Sequence, residues 1–326
     1  MGDWLARRAP YLHKGSVDLE ALDERFLEPY LEMLADPESN RLTTTTKKFT
    51  REQIVEWLKS RPLAEGRLDW AILDATNGEF VGEVVISDFV LSKQQMGLRI
   101  SLRGPKYFNR GFGSDALEAV ITFAFDKLLL KQLELEVWVE NPRAISTYEK
   151  FGFSHKRHRK DRRGFEYIVM HLRKTDFVRA LAERKMAEHL DLENWKFEFD
   201  NGKRRAGQCD YTNQRIQLSK YLVEIHSVDD SMQTLLHEVA HAMAGHEAGH
   251  SKAWLKIAKS IGYRNEKFTG KEIAEKTAPW VGVCPRGHLH YRYRKPAAMT
   301  SCTICGKGFD TRNLIRWQKR ETKAKA

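Results

Sequence analysis

Leu235-Leu236-His237-Glu238-Val239-Ala240-His241, followed by His246 and His250, decides the fold of the second half of the chain. His237 and His241 are four residues apart, so on a helix they project from one face and can share one cation. Glu238 lies between them, placed to hold a water on that cation. Met232, Leu235, Leu236, Val239, Ala240 and Met243 recur at helical spacing, Ser227 with Asp229-Asp230 supplies a start signal, and Gly245 a stop. An H-E-x-x-H order on such a helix predicts bound zinc, which lowers the pKa of a water while Glu238 acts as general base. The third ligand is expected to be His250, because His250-Ser-Lys-Ala-Trp254 opens a second helical pattern through Ile257, Ala258 and Ile261. His246 reads as a solvated loop histidine.

Working outward, 326 residues are enough for about two domains, each able to bury its own core. Apolar content of 41% and charged content of 30% belong to a soluble globular protein, and no apolar run reaches membrane-spanning length. The N-terminus has no signal-peptide core, and its Met-Gly start lacks Ser or Thr at position six, so a cytoplasmic protein without a lipid anchor is expected. A formal charge of +11 and a pI near 9.4 suit an acidic partner such as nucleic acid, or an acidic cofactor. A generally basic soluble protein would show the same excess. The basic residues bunch at His155 to Arg163, at Arg286 to Lys295 and in the tail from Arg312 to Lys325.

Three of the four cysteines cluster with a histidine: Cys284, His288, Cys302 and Cys305. Cys302 and Cys305 have knuckle spacing, and Cys284 with His288 forms a wider pair upstream. That is the arrangement of a zinc ribbon in a reducing compartment, with His290 as a fallback ligand. Four ligands close the site, so this zinc is structural. Cys209 is left over and reads as a small buried residue.

In the first half, Leu19 to Leu34 and Thr50 to Arg61 read as helices. Leu68 to Leu73, Phe80 to Phe89 and Met96 to Leu102 read as strands. Pro105-Lys-Tyr-Phe-Asn-Arg-Gly-Phe-Gly-Ser114 then leads into the apolar-periodic helix from Asp115. A strand, a glycine turn and a helix N-terminus make a phosphate cradle. After a strand over Leu133 to Val139 comes Asn141-Pro-Arg-Ala-Ile-Ser-Thr-Tyr-Glu-Lys-Phe-Gly-Phe153. The blocks Asn109 to Ser114 and Asn141 to Phe153 resemble the GNAT family of acetyl-CoA-dependent N-acetyltransferases, closest to its RimJ/RimL-like branch, over about residues 5 to 173. The resemblance implies a mixed, splayed sheet holding acetyl-CoA between two diverging strands. Its pyrophosphate would rest on Arg110, Gly111, Phe112, Gly113 and Ser114, with Asn141 touching the cofactor and Tyr148 protonating the departing thiolate. Phe108 stands where the family usually has Gln or Arg. The family's frequent general-base glutamate is replaced by Gln95, which leaves Glu83, Asp88 and Glu136 as candidates.

In the second half, Trp195 to Phe199 reads as a strand, and Arg205 to Tyr211 with Arg215 to Ser219 as a hairpin. Helix, small antiparallel sheet, metal helix and third-ligand helix resemble, in that order, the SprT-like zinc metalloproteases, which include the Spartan and Wss1 types. The matching residues are Ala206 to Cys209, Ile216 to Ser219, Leu235 to His241, and His250 with Trp254. The resemblance implies an edge strand that pairs with an extended polypeptide substrate. The expected architecture is α+β and multidomain: a GNAT mixed α/β sheet over 1–174, a zincin-like α+β metalloprotease domain over 175–278, a zinc ribbon over 279–318 and a disordered basic tail over 319–326. The expected function is bifunctional, with acetyl transfer to an amine acceptor and hydrolysis of a protein or peptide, and with one catalytic and one structural zinc. Two competing readings are a nucleic-acid-binding adaptor on a protease scaffold, and an acetyltransferase with a non-catalytic metal domain.

Overall fold

Residues 8–265 and 271–320 are described by the structure, a computed structural model. The Met-Gly start and the tail beyond Arg320 lie outside them. By internal contacts the chain forms two compact units that divide after Leu181.

The first unit holds β1 (Leu12–Lys14), β2 (Val17–Ala21), α1 (Leu27–Ala35), α2 (Pro37–Leu42), α3 (Arg51–Ser60), β3 (Leu68–Asp74), β4 (Phe80–Val90) and β5 (Gln95–Leu102). It continues with α4 (Phe112–Asp126), β6 (Gln132–Trp138), α5 (Pro142–Lys150), β7 (Ser154–Lys160), β8 (Glu166–Arg173) and the start of α6 (Lys174–Ala187). The eight strands form one sheet in the order β1-β2-β3-β4-β5-β6-β8-β7. All seven residues of β3 are buried, as expected of a central strand covered on both faces. One face packs Leu22, Tyr30, Met33, Ile54 and Leu58 against Ala71, Leu73 and Phe80. On α4, Ala116, Leu117, Val120, Ile121 and Ala124 form a fully buried stripe at helical spacing.

One expectation is corrected here. The helix expected over Leu19 to Leu34 is a strand followed by a shorter helix. Val17, Leu19 and Ala21 are buried in alternation with Asp18 and Glu20, and β2 pairs with both β1 and β3. A period of two wins over the helical reading because both edges of that segment find partners.

The pairing that shapes the first unit is the parallel one between β5 and β6. It covers only Gln95↔Gln132, Met96↔Leu133 and Gly97↔Glu134. Beyond Gly97 the two strands run on to Leu102 and Trp138 without pairing with each other, β5 keeping β4 and β6 keeping β8, and the sheet opens between them.

The second unit takes up the rest of α6, then β9 (Lys196–Asp200), β10 (Gly207–Asp210), β11 (Arg215–Ser219), α7 (Lys220–Ile225), α8 (Val228–Ala244), α9 (Lys252–Ser260) and α10 (Lys271–Thr277). It ends in β12 (Trp280–Val283), β13 (Leu289–Arg292) and β14 (Arg316–Lys319). Its first sheet has the order β10-β11-β9, and β9 pairs with β11 in parallel. The expected antiparallel sheet is therefore mixed: β10 and β11 make the hairpin, while β9 joins by a crossover. The last three strands form a sheet of their own in the order β13-β12-β14. Helix α8 starts where the Ser227 side chain accepts from the Asp230 N–H at 3.0 Å and stops at Gly245 with φ 84°. No helix among the described residues is long and apolar enough to cross a membrane.

Candidate active sites

In the second unit, α8 carries His237 and His241 on one face, and the turn before α9 brings His250 to them. Gly245 and Gly249 both have positive φ, which lets the chain double back within five residues. The three Nε2 atoms form a triangle with sides of 3.2, 3.1 and 3.1 Å. Hydrogen bonds do not account for it, because one ring N–H points along one direction and cannot serve two neighbours. Three lone pairs converging on one point repel each other unless a cation lies between them. The separations match three imidazoles around an ion with bonds of about 2.0–2.1 Å, so the donor set fits zinc. Burial first, and then the neighbouring imidazoles, pulls His241 down to about 4, and burial with His250 does the same to His237. Both are therefore neutral at pH 7, the form that ligates metal.

Trp254 on α9 packs against all three imidazoles, stacked on His241 at 5.1 Å and edge-on to His237 and His250 at 4.9 and 4.8 Å. Tyr263 closes against His237 and Trp254, both at 5.7 Å. These contacts hold the ring planes. His246 stays outside the cluster, exposed and paired with Glu247 at 3.4 Å. Glu238 is buried, and its side chain lies on β10: a Cβ added at Gly207 would come within 2.8 Å of the Glu238 Cγ. The Cys209 thiol, two residues along, is pushed up to about 12 by burial and then by the charge of Glu238, so it stays protonated at neutral pH. The Tyr211 hydroxyl donates to the His241 carbonyl at 3.1 Å.

The second cluster gathers Cys284, His288, Cys302 and Cys305, with ligand atoms all within 4.8 Å of one another. His288 Nδ1 lies 3.2 Å from Cys305 Sγ and 3.6 Å from Cys302 Sγ, and Cys284 Sγ is 3.7 Å from Cys305 Sγ. Burial opposes ionisation of Cys284, but the N–H groups of His288 and Arg286 outweigh it and hold the thiol down to about 6. Cys305 shifts the other way, pushed up to about 11 by burial and its cysteine neighbours, so without an ion the cluster holds one depressed thiol. Three sulfurs and one imidazole nitrogen in this spacing fit a closed zinc site. His290 sits just outside, its Nε2 3.2 Å from Cys302 Sγ.

In the first unit, the opening between β5 and β6 leads into a cavity of about 280 Å³. Arg110, Gly111, Gly113, Ser114, Asn141 and Tyr148 all line it, together with β5 from Leu98 to Leu102. Phe112 does not line it: its side chain is buried, with Arg110 stacked over the ring at 4.7 Å. Gly111 has φ 87°, and among the described residues no side chain caps α4, so its first N–H groups face the cavity rim. Asn141 caps α5 by accepting from the Ala144 N–H at 3.2 Å. Tyr148 is buried edge-on to Phe153, and burial pushes its hydroxyl up to about 12, which keeps it protonated. An uncapped helix start, a stretch of β5 that has left β6 while staying paired with β4, and an apolar shaft fit a pantetheine–pyrophosphate ligand such as acetyl-CoA.

The three candidate bases are separated. Glu136 lines the cavity but is held by Arg159 in two contacts of 2.9 and 2.6 Å. Asp88 accepts from Ser87 at the β4 bulge. Glu83 is buried under Tyr30. Gln95 itself is buried, accepting from Gln132 at 2.6 Å within the short parallel pairing. Sequence reasoning did not assign roles to Gly207, Tyr211, Tyr263 or to Arg143, whose guanidinium stacks on Phe108 at 3.8 Å. Gly207 left a signal, a glycine inside a strand pattern, which marks a close approach. The others left none.

Comparison with known proteins places both halves. Residues 17–154 match the acetyltransferase (GNAT) domain family, and residues 176–276 match the SprT-like family. A curated relative, FsC-acetyl coenzyme A-N(2)-transacetylase of Aspergillus fumigatus, is 23% identical over 159 residues, 45% of this chain and 66% of that protein. Among solved structures, spermidine N-acetyltransferase from Vibrio cholerae in complex with CoA and spermine is 18% identical, with a TM-score of 0.45 over 50% of this chain and 98% of that one. A GNAT-family acetyltransferase from Bacillus anthracis is 16% identical, with a TM-score of 0.46 over 50% and 98%. From the two family matches, this protein carries a GNAT-family acetyltransferase domain and, after it in the same chain, a SprT-like domain.

Proposed function

We propose that the protein is a two-activity enzyme, an acetyl-CoA-dependent N-acetyltransferase over 1–174 and a zinc metallopeptidase over 175–278, with a structural zinc ribbon over 279–318 and a basic tail beyond. The observation that carries the peptidase half is the triangle of Nε2 atoms beside the buried Glu238. Zinc held by His237, His241 and His250 would lower the pKa of a water and polarise a peptide carbonyl. Glu238 would serve as the base that takes a proton from the attacking water and as the acid that returns it to the leaving amine. Burial over Gly207 holds the carboxylate in one position. Strand β10, at the edge of its sheet, offers main-chain groups to an extended polypeptide.

The acetyltransferase half is supported by the cavity between β5 and β6. Acetyl-CoA supplies an activated acetyl thioester. The N–H groups of residues 110–114 would receive its pyrophosphate, and Asn141 borders the shaft. The Tyr148 hydroxyl would give a proton to the thiolate released as the acceptor nitrogen takes the acetyl group and sheds its own proton to solvent.

Elemental analysis tests the metal assignments: two zinc ions per chain are expected, and one in His237→Ala. A wild-type value of one, unchanged by that substitution, overturns the catalytic site. Glu238→Gln should keep both ions and lose cleavage of a denatured protein substrate. A nucleic-acid role for the ribbon is favoured by its cation–aromatic surface, with Lys295 over Trp280 at 5.6 Å and, from the preceding 175–278 segment, Lys203 over Tyr293 at 5.6 Å. Binding of single-stranded DNA across a salt series tests it.

A further inference from the structure

A second cavity, of about 560 Å³, lies on the α1–α3 face of the sheet in the first unit. It shares Ser39, Thr43, Arg99 and Ser101 with the acyl-donor cavity, so the two adjoin at β5. Tyr30, Phe49 and Trp57 give it aromatic walls. One carboxylate reaches it: Glu83, only 5% exposed, accepting from the Tyr30 hydroxyl at 3.1 Å, with Arg99 Nη2 3.5 Å from its other oxygen. Burial pushes Glu83 up, and Arg99 opposes the shift. None of the chemistry assigned above uses this group. A buried carboxylate against aromatic faces is a receptor for an ammonium.

The remaining charge in the cavity has the opposite sign. Arg67 is committed to the buried Asp69 in contacts of 2.5 and 2.7 Å. That leaves Lys47, over the Phe49 ring at 4.9 Å, and Arg99, whose side chain is 62% exposed, against a single carboxylate. Behind Trp57, the Arg61 guanidinium stacks on the ring at 4.7 Å and adds a further positive charge. A polyamine seated on Glu83 would bring its second ammonium up to these cations. An anion at the same place would be attracted.

We propose that this cavity is the acceptor site and that it selects a primary amine which also carries an anionic group, the ammonium against Glu83 and Tyr30 and the anion toward Arg99 and Lys47. The inference rests on the acetyltransferase reading of the adjoining cavity. The full chain is saturated with CoA, which permits no turnover, and titrated calorimetrically with γ-aminobutyrate, O-phosphoethanolamine, putrescine and spermidine. Either anion-bearing amine should bind about ten-fold or more tighter than putrescine, and the ranking of the two separates carboxylate from phosphate recognition. Lys47→Glu should erase or reverse the preference. Glu83→Gln should weaken every amine by about ten-fold while CoA affinity, which also reports folding, stays unchanged. Equal or tighter binding of putrescine or spermidine to the wild type overturns the proposal, as does a preference unmoved by Lys47→Glu. Failure of CoA itself to bind is a separate result, and it takes down the acetyltransferase reading before any amine is added.

Discussion

The two candidate centres are made of different materials. The His237–His241–His250 cluster is built from side chains, and each of its donors is one atom of one residue. The acyl-donor cavity is built largely from main chain and open space: an uncapped helix start, a glycine with φ 87° and a strand that parts from one of its two neighbours after Gly97. The first kind of centre depends on residue identity. The second depends on backbone conformation, and most side chains around it can change.

Four measurements test this contrast, in decreasing order of effect. Chelation of zinc should abolish peptide hydrolysis yet leave acetyl-CoA affinity, by calorimetry, within about two-fold, since only one centre needs an ion. Joint loss of both would erase the distinction. Tyr148→Phe removes the one side chain on which the backbone-built centre is expected to rely, and should lower the acetyl-transfer rate by about 10²-fold with cofactor affinity unchanged. A loss confined to affinity would make Tyr148 a wall residue. Gly111→Val puts a β-branched residue at φ 87°, at a cost of about 1–3 kcal/mol, and should weaken acetyl-CoA about ten-fold or more. Gly113→Ala serves as its control. A Cβ there meets Leu102 and Ile100 at 3.8 and 3.9 Å, ordinary contact distances, so affinity should move by less than about three-fold. Last, Gly207→Ala should displace Glu238 and slow hydrolysis by about five- to ten-fold with zinc content unchanged, because the new methyl sits 2.8 Å from Cγ. Lost zinc would show that the strand supports the ligands and not the base.

The same contrast explains what could be read from sequence. Side-chain spacing along one helix is local, so the pairing of His237 with His241, the Ser227 start and the Gly245 stop were all readable, and the pattern opening at His250 placed the next element. The glycine turn was readable for a related reason: Gly111 before an apolar-periodic helix is a local signal. What stayed hidden is contact across the chain. Tyr30 meets Glu83 across 53 positions, and Gly207 meets Glu238 across strands whose register no local pattern states. The substitution of glutamate by Gln95 was visible, but its bond to Gln132 was not. The misread segment after Leu19 has the same origin, since Val17, Leu19 and Ala21 alternate as a strand only because β1 and β3 flank them.

Strand β7 bears on the interpretation of the protein's charge. It is the outer strand of an eight-stranded sheet, and all seven of its residues, Ser154 to Lys160, are exposed. Such a border is a template on which another chain can polymerise. Here it reads Ser-His-Lys-Arg-His-Arg-Lys, with a bulge between His155 and Arg157, so a second copy arriving edge to edge would meet like charges and a broken ladder. Arg159 and Lys160 are balanced by Glu136 and Glu166, which leaves Lys156 and Arg157 as the charge that an incoming copy of the same strand would meet.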